Sequence, residues 1–314
     1  MRVLVAGAAG FIGYHLCERL LSEGHTVVGL DNFCTGQRRN IADLSRRRGF
    51  EFVEHDVVRP IELPGRLDAV YNLACPASPA DFGPKALEIM DVCAHGVWRL
   101  LELARAAGAT FVHTSTSEVY GNPDRQHHPQ REEYFGNVNP IGPRACYDEG
   151  KRFAEALIVN YRRRYGIETR TVRIFNTYGP RMRRDDGRVL PNFISQALAG
   201  EPLTVHGDGS QTRSFCYVSD LVEGILRLAA SDVSEPVNIG NPDEVSIADF
   251  ARKIIALTGN RSRLAFVPRP ADDPDLRRPD ITRARTRLGW QPRVGLEEGL
   301  KRTIDAFGSD ASGG

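Results

Sequence analysis

The chain has 314 residues, 41% of them apolar, which allows one large or two moderate domains around a proper core. Lys and Arg number 41 against 40 Asp and Glu, so the formal charge is +1 and no global field draws in nucleic acid or an anionic membrane. No stretch approaches the apolar length that spans a bilayer, and the N-terminus enters a strand at once, so neither a membrane segment nor a signal peptide is expected.

Taken in chain order, residues 2–6 read as a short buried strand. Gly7-Ala-Ala-Gly10-Phe11-Ile12-Gly13 follows, and a helix with apolar spacing runs on from His15. Strand, glycine turn and helix in this order mark a dinucleotide site. The first Gly permits the turn, the second lets the backbone approach a pyrophosphate, and the third lets helix pack on strand. Free N–H groups at the helix start then face the phosphates. A second strand, 26–30, ends at Asp31, 18 residues past Gly13, where a carboxylate holds the adenosine ribose hydroxyls and repels a 2′-phosphate. NAD is therefore expected over NADP, although Arg38 and Arg39 stand nearby. Residues 51–54 precede Asp56-Val57, with Asp56 placed for an adenine amino group. A fourth strand, 67–73, leads into Ala74-Cys75-Pro76, and a long helical stretch covers 85–107. Strand 110–115 ends at Thr116-Ser117-Glu118, the helix of Tyr147 and Lys151 comes next, and 169–174 is a sixth strand. Ligands of open parallel sheets bind beyond the carboxyl ends of the strands, so Asn32, Val57, Leu73, Ala74 and Thr114 join the cofactor candidates. Past 175 the pattern is mixed, with Gly/Pro/Arg-rich turns.

These elements predict an α/β fold: a Rossmann-type doubly wound parallel sheet over 1–175, with room for later returns of the chain. A smaller mixed α/β substrate lobe over 176–308 and a flexible tail over 309–314 complete it. Cys17, Cys34, Cys75, Cys93, Cys146 and Cys216 show no metal-type spacing, and they read as reduced thiols of a cytoplasmic protein without a bound metal.

The chemistry is carried by Tyr147 and Lys151, four apart on one helical face. An ammonium beside a phenol favours the phenolate, so the Tyr pKa is expected to fall from about 10. Such a phenolate takes the proton of an alcohol while its hydride leaves. Alone the pair also fits a partly buried Tyr and a solvated Lys; the dinucleotide unit upstream is what selects the catalytic reading.

With these residues in place, the chain resembles the extended short-chain dehydrogenase/reductases that act on nucleotide sugars, and within them the UDP-glucuronate decarboxylases. The strings that carry the resemblance are Asp31-Asn-Phe-Cys-Thr-Gly36, Ala74-Cys-Pro-Ala-Ser-Pro79, Thr114-Ser-Thr-Ser-Glu-Val-Tyr-Gly121, Gly136-Asn-Val-Asn-Pro-Ile-Gly142, Cys146-Tyr-Asp-Glu-Gly-Lys151, Arg173-Ile-Phe-Asn-Thr-Tyr-Gly-Pro-Arg-Met182, Gly207-Asp-Gly-Ser-Gln-Thr-Arg-Ser-Phe215 and Asp273-Pro-Asp-Leu-Arg277. The resemblance implies NAD as cofactor and a UDP-sugar as substrate. It implies Tyr147 as base at the carbon-4 hydroxyl, Lys151 as its tuner and a ribose contact, and Thr116 as a hydrogen-bond partner of the carbon-4 oxygen. Glu118 and Arg277 stand where relatives place the decarboxylation residues, with Ser117 a third polar candidate. Pro76, Ser78, Asn176, Arg188, Val189, Asn192, Gln211 and Arg213 match sugar, uracil and diphosphate contacts.

The implied reaction oxidises carbon 4, loses CO2 from the resulting β-keto acid and reduces the ketone wholly or in part. UDP-xylose, UDP-4-keto-xylose or both then result. Plainer alternatives stand beside the roles: a solvated loop acid for Glu118, a surface or inter-lobe ion pair for Arg277, a surface position for Arg213, and a strand-end cap for Thr116. A 4-epimerase or 4,6-dehydratase of the same family is the alternative activity, although Ser117 stands where dehydratases carry Asp. A non-catalytic NAD or nucleotide-sugar sensor is a remoter one. The sequence departs from its relatives at Phe82, at Ala86–Asp91 and at Tyr14, positions expected near the sugar pocket or the cofactor entrance. The resemblance also implies a homodimer, built from helices 85–107 and 147–164.

Overall fold

Runs of consecutive apolar residues, without alternation, mark strands buried on both faces, and such strands belong in a parallel sheet. In the computed structural model, which describes residues 1–269 and 276–311, such runs form the centre of β1 (Arg2–Ala6), β2 (Thr26–Asp31) and β4 (Ala69–Asn72), and the more polar segments β3 (Phe50–Glu54), β5 (Thr110–Thr116) and β6 (Thr169–Ile174) join them. With Val237–Ile239 they form a seven-stranded sheet in the order Val237–Ile239, β6, β5, β4, β1, β2, β3. Every pairing is parallel. Strand order reverses between β1 and β4, and the crevice above such a switch point is where a ligand lies. Ala6 stands opposite both Leu30 and Asn72, so the loops after β1, β2 and β4 leave from one edge and meet there.

The glycine turn is fixed by close approach. A Cβ on Gly13 would lie 2.0 Å from the Gly7 carbonyl oxygen, and one on Gly7 would lie 2.7 Å from the Leu73 backbone. The helix Phe11–Ser22 starts on this turn. The stretch expected as one helix over 85–107 is helical from Ala86 to Ala107 but carries a π-helical turn at Val92–Gly96. The Tyr147 helix spans Ala145–Tyr165.

Beyond β6 the chain serves two regions. The helix Val218–Ala229 packs back on Phe11–Ser22, and Val237–Ile239 adds the edge strand beside β6. The remaining strands form two-stranded pairs, one antiparallel and two parallel, which gives the mixed second lobe. The last helix runs from Leu296 to Ala311, into the stretch expected to fray, because its Leu300, Ile304 and Phe307 are buried. Positions 273–275 of the Asp273–Arg277 string, and 312–314 of the tail, lie outside the described residues. Among the described residues no helix is long and apolar enough to cross a membrane.

Candidate active site

The strand ends build a cleft in two parts. Gly7, Gly10, Asp31, Asn32, Asp56, Val57, Leu73 and Ala74 line a cavity of about 160 Å³. Phe11, Ile12, Gly13 and Thr114 line an adjoining one of about 130 Å³, again with Gly7 and Gly10. The Asp31 carboxylate is held at the mouth by the N–H groups of Ala9 (3.0 Å) and Phe33 (2.8 Å). Asn32 donates to Asp56 at 3.1 Å, tying the two polar groups of the cleft together. Arg38 is diverted from it, paired with Glu54 at 3.1 Å and lying 4.1 Å above the Phe33 ring, and Arg39 donates to Gln37 at 2.9 Å. A side-chain-free cradle at Gly7 and Gly10, with a buried carboxylate at Asp31 and Arg38 turned to Glu54, fits a dinucleotide without a 2′-phosphate.

Next to the cleft lies a further cavity of about 340 Å³. It gathers Thr116, Ser117, Glu118, Tyr147, Lys151, Asn176, Arg188, Val189, Asn192, Gln211, Arg213 and Arg277, residues as far apart in sequence as 116 and 277. Tyr147 is buried, with Phe82 stacked on it at 5.0 Å and the Thr116 hydroxyl in hydrogen-bond reach. Thr116 also caps the short turn after β5, accepting the Glu118 N–H at 3.2 Å, so its cap and site readings hold together.

One electrostatic expectation is corrected here. Lys151 spends a hydrogen bond on the Thr114 carbonyl (2.8 Å), and its ammonium is 5.9 Å from the Tyr147 ring centre. Burial, with Cys75 adding to it, holds the phenol well above its usual range, and the Thr116 hydrogen bond only opposes this. Protein groups alone therefore keep Tyr147 neutral.

Glu118 is in the opposite state. Burial would raise it, but Arg277 at 3.3 Å and Arg144 at 2.6 Å outweigh burial and hold it down at about 2. It is a fixed anion that orients others, and it carries no proton to give at neutral pH. Arg277 is almost wholly buried; it donates to the carbonyls of Ser117 and Gly121, the latter at 3.1 Å, and its Nε is a buried donor without a partner. A solvated loop acid and a surface ion pair are excluded by this geometry, whereas a buried ion pair joining Arg277 to Glu118 across the chain is present.

Two residues of the cluster were missed in the sequence. Arg144, just before the Tyr147 helix, and Asp148 in its first turn are four apart, with a 3.8 Å separation between their charged groups. Burial, and then the charge of Glu118, push Asp148 up to about 7 against the pull of Arg144 and Arg277. A carboxyl raised in the fold costs stability as it ionises, so this contribution falls as pH rises from 3.8 through about 7. Asp148→Asn is expected to match the wild-type melting temperature near about pH 4 and to exceed it near about pH 8, read from thermal melts across that range.

At the far end of the cavity Gln211 donates to the His206 carbonyl at 2.7 Å, Asn192 to that of Gly187 at 3.2 Å, and Arg213 to that of Thr212 at 2.9 Å. Arg188 is clamped to Asp186 at 2.8 Å. Pro76 and Ser78, expected on the sugar, sit elsewhere. Pro76 lines the cofactor cleft, and the Ser78 hydroxyl is buried, donating to the Asp186 carbonyl and capping the turn Pro79–Phe82. Their neighbours Cys75, Ala77 and Pro79 are the residues of this string that line the substrate cavity. Tyr14 is likewise in the core, bonded to Asp43 with Arg181 4.5 Å above its ring, away from the cofactor entrance. Among the described residues no cluster of His, Cys, Asp and Glu is placed to hold a metal ion.

A glycine cradle at the switch point, beside Thr116 at the end of β5 and Tyr147 and Lys151 on the helix packed against it, is the arrangement of a nicotinamide-dependent enzyme of the short-chain dehydrogenase type. Residues 3–240 match the NAD dependent epimerase/dehydratase family, and the chain belongs to it. UDP-glucuronic acid decarboxylase 1 of Danio rerio is 50% identical over 306 residues, 98% of this chain and 72% of that protein. UDP-glucuronic acid decarboxylase 6 of Arabidopsis thaliana is 50% identical over 308 residues, 98% and 89% of the two chains. The UDP-glucuronic acid 4-epimerase of Bacillus cereus, solved with UDP-glucuronic acid and NAD, superposes with a TM-score of 0.87 at 30% identity, covering 98% of this chain and 99% of its own.

Proposed function

We propose that the chain is an NAD-dependent UDP-glucuronate decarboxylase. The observation that carries this is a buried carboxylate-handling cluster, Glu118 between Arg277 and Arg144, in the same cavity as the alcohol-oxidising pair Tyr147 and Thr116. Relatives half identical over nearly the whole chain bear the decarboxylase name and support the reading.

NAD, when bound, would supply the hydride acceptor and a positive charge beside the phenol. Gly7, Gly10, Asp31 and Asp56 would hold it. Tyr147 takes the carbon-4 hydroxyl proton while Thr116 fixes the oxygen. Oxidation there makes the substrate a β-keto acid, whose loss of CO2 leaves an enolate. Arg277 offers its unpartnered Nε to the departing carboxylate or to the enolate, and Glu118 holds that guanidinium in place. Water then protonates carbon 5 of the enolate, restoring the ketone, with the hydroxide so formed taken up by CO2 as bicarbonate, and Tyr147 returns its own proton to the carbon-4 oxygen as the ketone is reduced. Gln211, Arg213, Asn176, Asn192, Val189 and Arg188 serve the uridine diphosphate.

The same reading extends to assembly and compartment. Leu87 and Trp98 on the 86–107 helices, 78% and 51% exposed, and Phe153 on the Tyr147 helix form an uncovered apolar surface that pairing of two copies would bury. The enzyme is read as a cytoplasmic homodimer, in keeping with its free thiols.

Purified protein incubated with UDP-glucuronate and NAD tests the activity by mass spectrometry and proton NMR. Loss of CO2 with a UDP-pentose product is expected, and the ratio of UDP-xylose to UDP-4-keto-xylose reports how fully the ketone is reduced. An unchanged mass with a galacto-configured product would replace the decarboxylase reading by the epimerase one.

A further inference from the structure

Of the six thiols, Cys17 and Cys216 are sealed in the apolar core and Cys34 stands exposed. Cys75 and Cys93 are different. Cys75 sits in the turn after β4 and faces both the cofactor cleft and the substrate cavity. Cys93 sits behind it on the π-helical turn, and the two sulfurs are 3.8 Å apart and hydrogen-bonded. Around them pack Phe82, Cys146 and Tyr147, and a Cβ on Gly150 of the Tyr147 helix would lie 3.1 Å from the Cys93 sulfur. Accepting the bond from Cys75 takes the Cys93 thiol below its usual range and holds Cys75 above it, with Lys151 favouring thiolate at both. The pair thus shares one mobile proton beside an ammonium, with one sulfur open to the cleft.

We infer that Cys75 and Cys93 are a redox modification site, a dithiol that a peroxide closes to a disulfide, which switches the enzyme off, and that a dinucleotide in the cleft shields. The shielding rests on the dinucleotide reading; the disulfide does not.

The steps balance. As the shared proton moves to Cys93, the Cys75 thiolate attacks hydrogen peroxide. An S–O bond forms, the O–O bond breaks, and hydroxide leaves to become water with a solvent proton. The Cys93 sulfur then attacks the Cys75 sulfenic acid. The S–S bond forms, the S–O bond breaks, and the departing hydroxide takes the Cys93 proton. Two thiols are oxidised and one peroxide is reduced to two waters.

Closure to an S–S bond of about 2.05 Å draws the Leu73–Cys75 turn towards the helix behind it. That turn bounds the cofactor cleft, and Cys93 abuts the Tyr147 helix. A shift of about an ångström beside reacting groups costs about a hundredfold in rate.

The test exposes the purified enzyme to hydrogen peroxide with and without saturating NAD. Intact mass is expected to fall by two hydrogens, and peptide mapping to link the segments bearing Cys75 and Cys93. Turnover of UDP-glucuronate is expected to fall about a hundredfold and to return with dithiothreitol. Cys93→Ser, with Cys93→Ala as a second variant, is expected to keep its starting activity and to survive the same exposure. Sulfinic acids without a cross-link, or Cys93 variants inactivated as fast as wild type, would overturn the switch. A cross-link that forms equally fast with NAD present would keep the switch and remove the shielding.

Discussion

Tyr147→Phe is expected to lower turnover of UDP-glucuronate by about a thousandfold, the upper part of what a general acid or base supplies. The substitution deletes one hydroxyl and little else. The ring keeps its stack on Phe82 at 5.0 Å, and Lys151 keeps its bond to the Thr114 carbonyl. The fold and the cofactor cleft should therefore be intact, so NAD affinity measured by calorimetry is expected to stay at the wild-type value. The melting temperature should not fall, because the lost hydroxyl leaves only Thr116 to find another partner. The position of Tyr147 makes the test sharp: burial and Cys75 hold its phenol up, so the protein alone does not ionise it. The wild-type rate should climb with pH over the range in which the phenolate of the loaded enzyme forms, and the Phe variant should be flat there. Turnover within about tenfold of wild type would remove Tyr147 as the base, since general base catalysis supplies about a hundredfold or more.

Much of this framework was legible because its signals are local. Buried parallel strands are continuous apolar runs, and β1 and β2 could be read so within a residue or two, while β6, Thr-Arg-Thr-Val-Arg-Ile, was legible by its β-branched residues instead. Gly13 announces itself because a dinucleotide turn tolerates no side chain there. Tyr147 and Lys151 share a helical face by spacing alone. What stayed hidden is what depends on distance in sequence or on depth. Nothing near 218–239 says that this stretch returns to pack on the first helix and extend the sheet beyond β6. Arg144 and Asp148 have the spacing of a helical pair, but only the fold brings Glu118 against them. The phenol of Tyr147 was expected low because a cation four residues on is visible in sequence, whereas the burial that outweighs it is not. Pro76 and Ser78 belong to a matching string, but it is Cys75, Ala77 and Pro79 that reach the substrate cavity, while Pro76 lines the cofactor cleft and Ser78 is bonded to the Asp186 carbonyl. The π-helical turn that sets Cys93 behind Cys75 has no sequence mark at all.

Arg277→Met is expected to abolish decarboxylation and to destabilise the protein by about 3 kcal/mol, the cost of breaking a buried ion pair from one side. The methionine roughly fills the space but leaves Glu118 with Arg144 as its sole partner at hydrogen-bond distance in the cluster. It also strips the Ser117 and Gly121 carbonyls of their donor. The pH dependence carries a sign that can be checked. Glu118 is held down at about 2 against an ordinary 4.5, so its stabilisation is complete above 4.5 and is lost as pH falls through about 2. Without Arg277 the carboxyl titrates higher, and the acid limb of the stability curve should move to higher pH. A second change separates chemistry from architecture. Arg277→Met combined with Glu118→Gln leaves no uncompensated buried carboxylate, so much of the lost stability should return in urea unfolding while turnover stays absent. If the double variant regains both, the pair serves only to hold the cavity together and some other group handles the substrate carboxylate. If the single variant loses stability but keeps its rate, Arg277 is structural and its buried Nε has no part in the loss of CO2. Recovery of stability without recovery of turnover assigns the guanidinium to the reaction, with Glu118 as the anion that keeps it aimed.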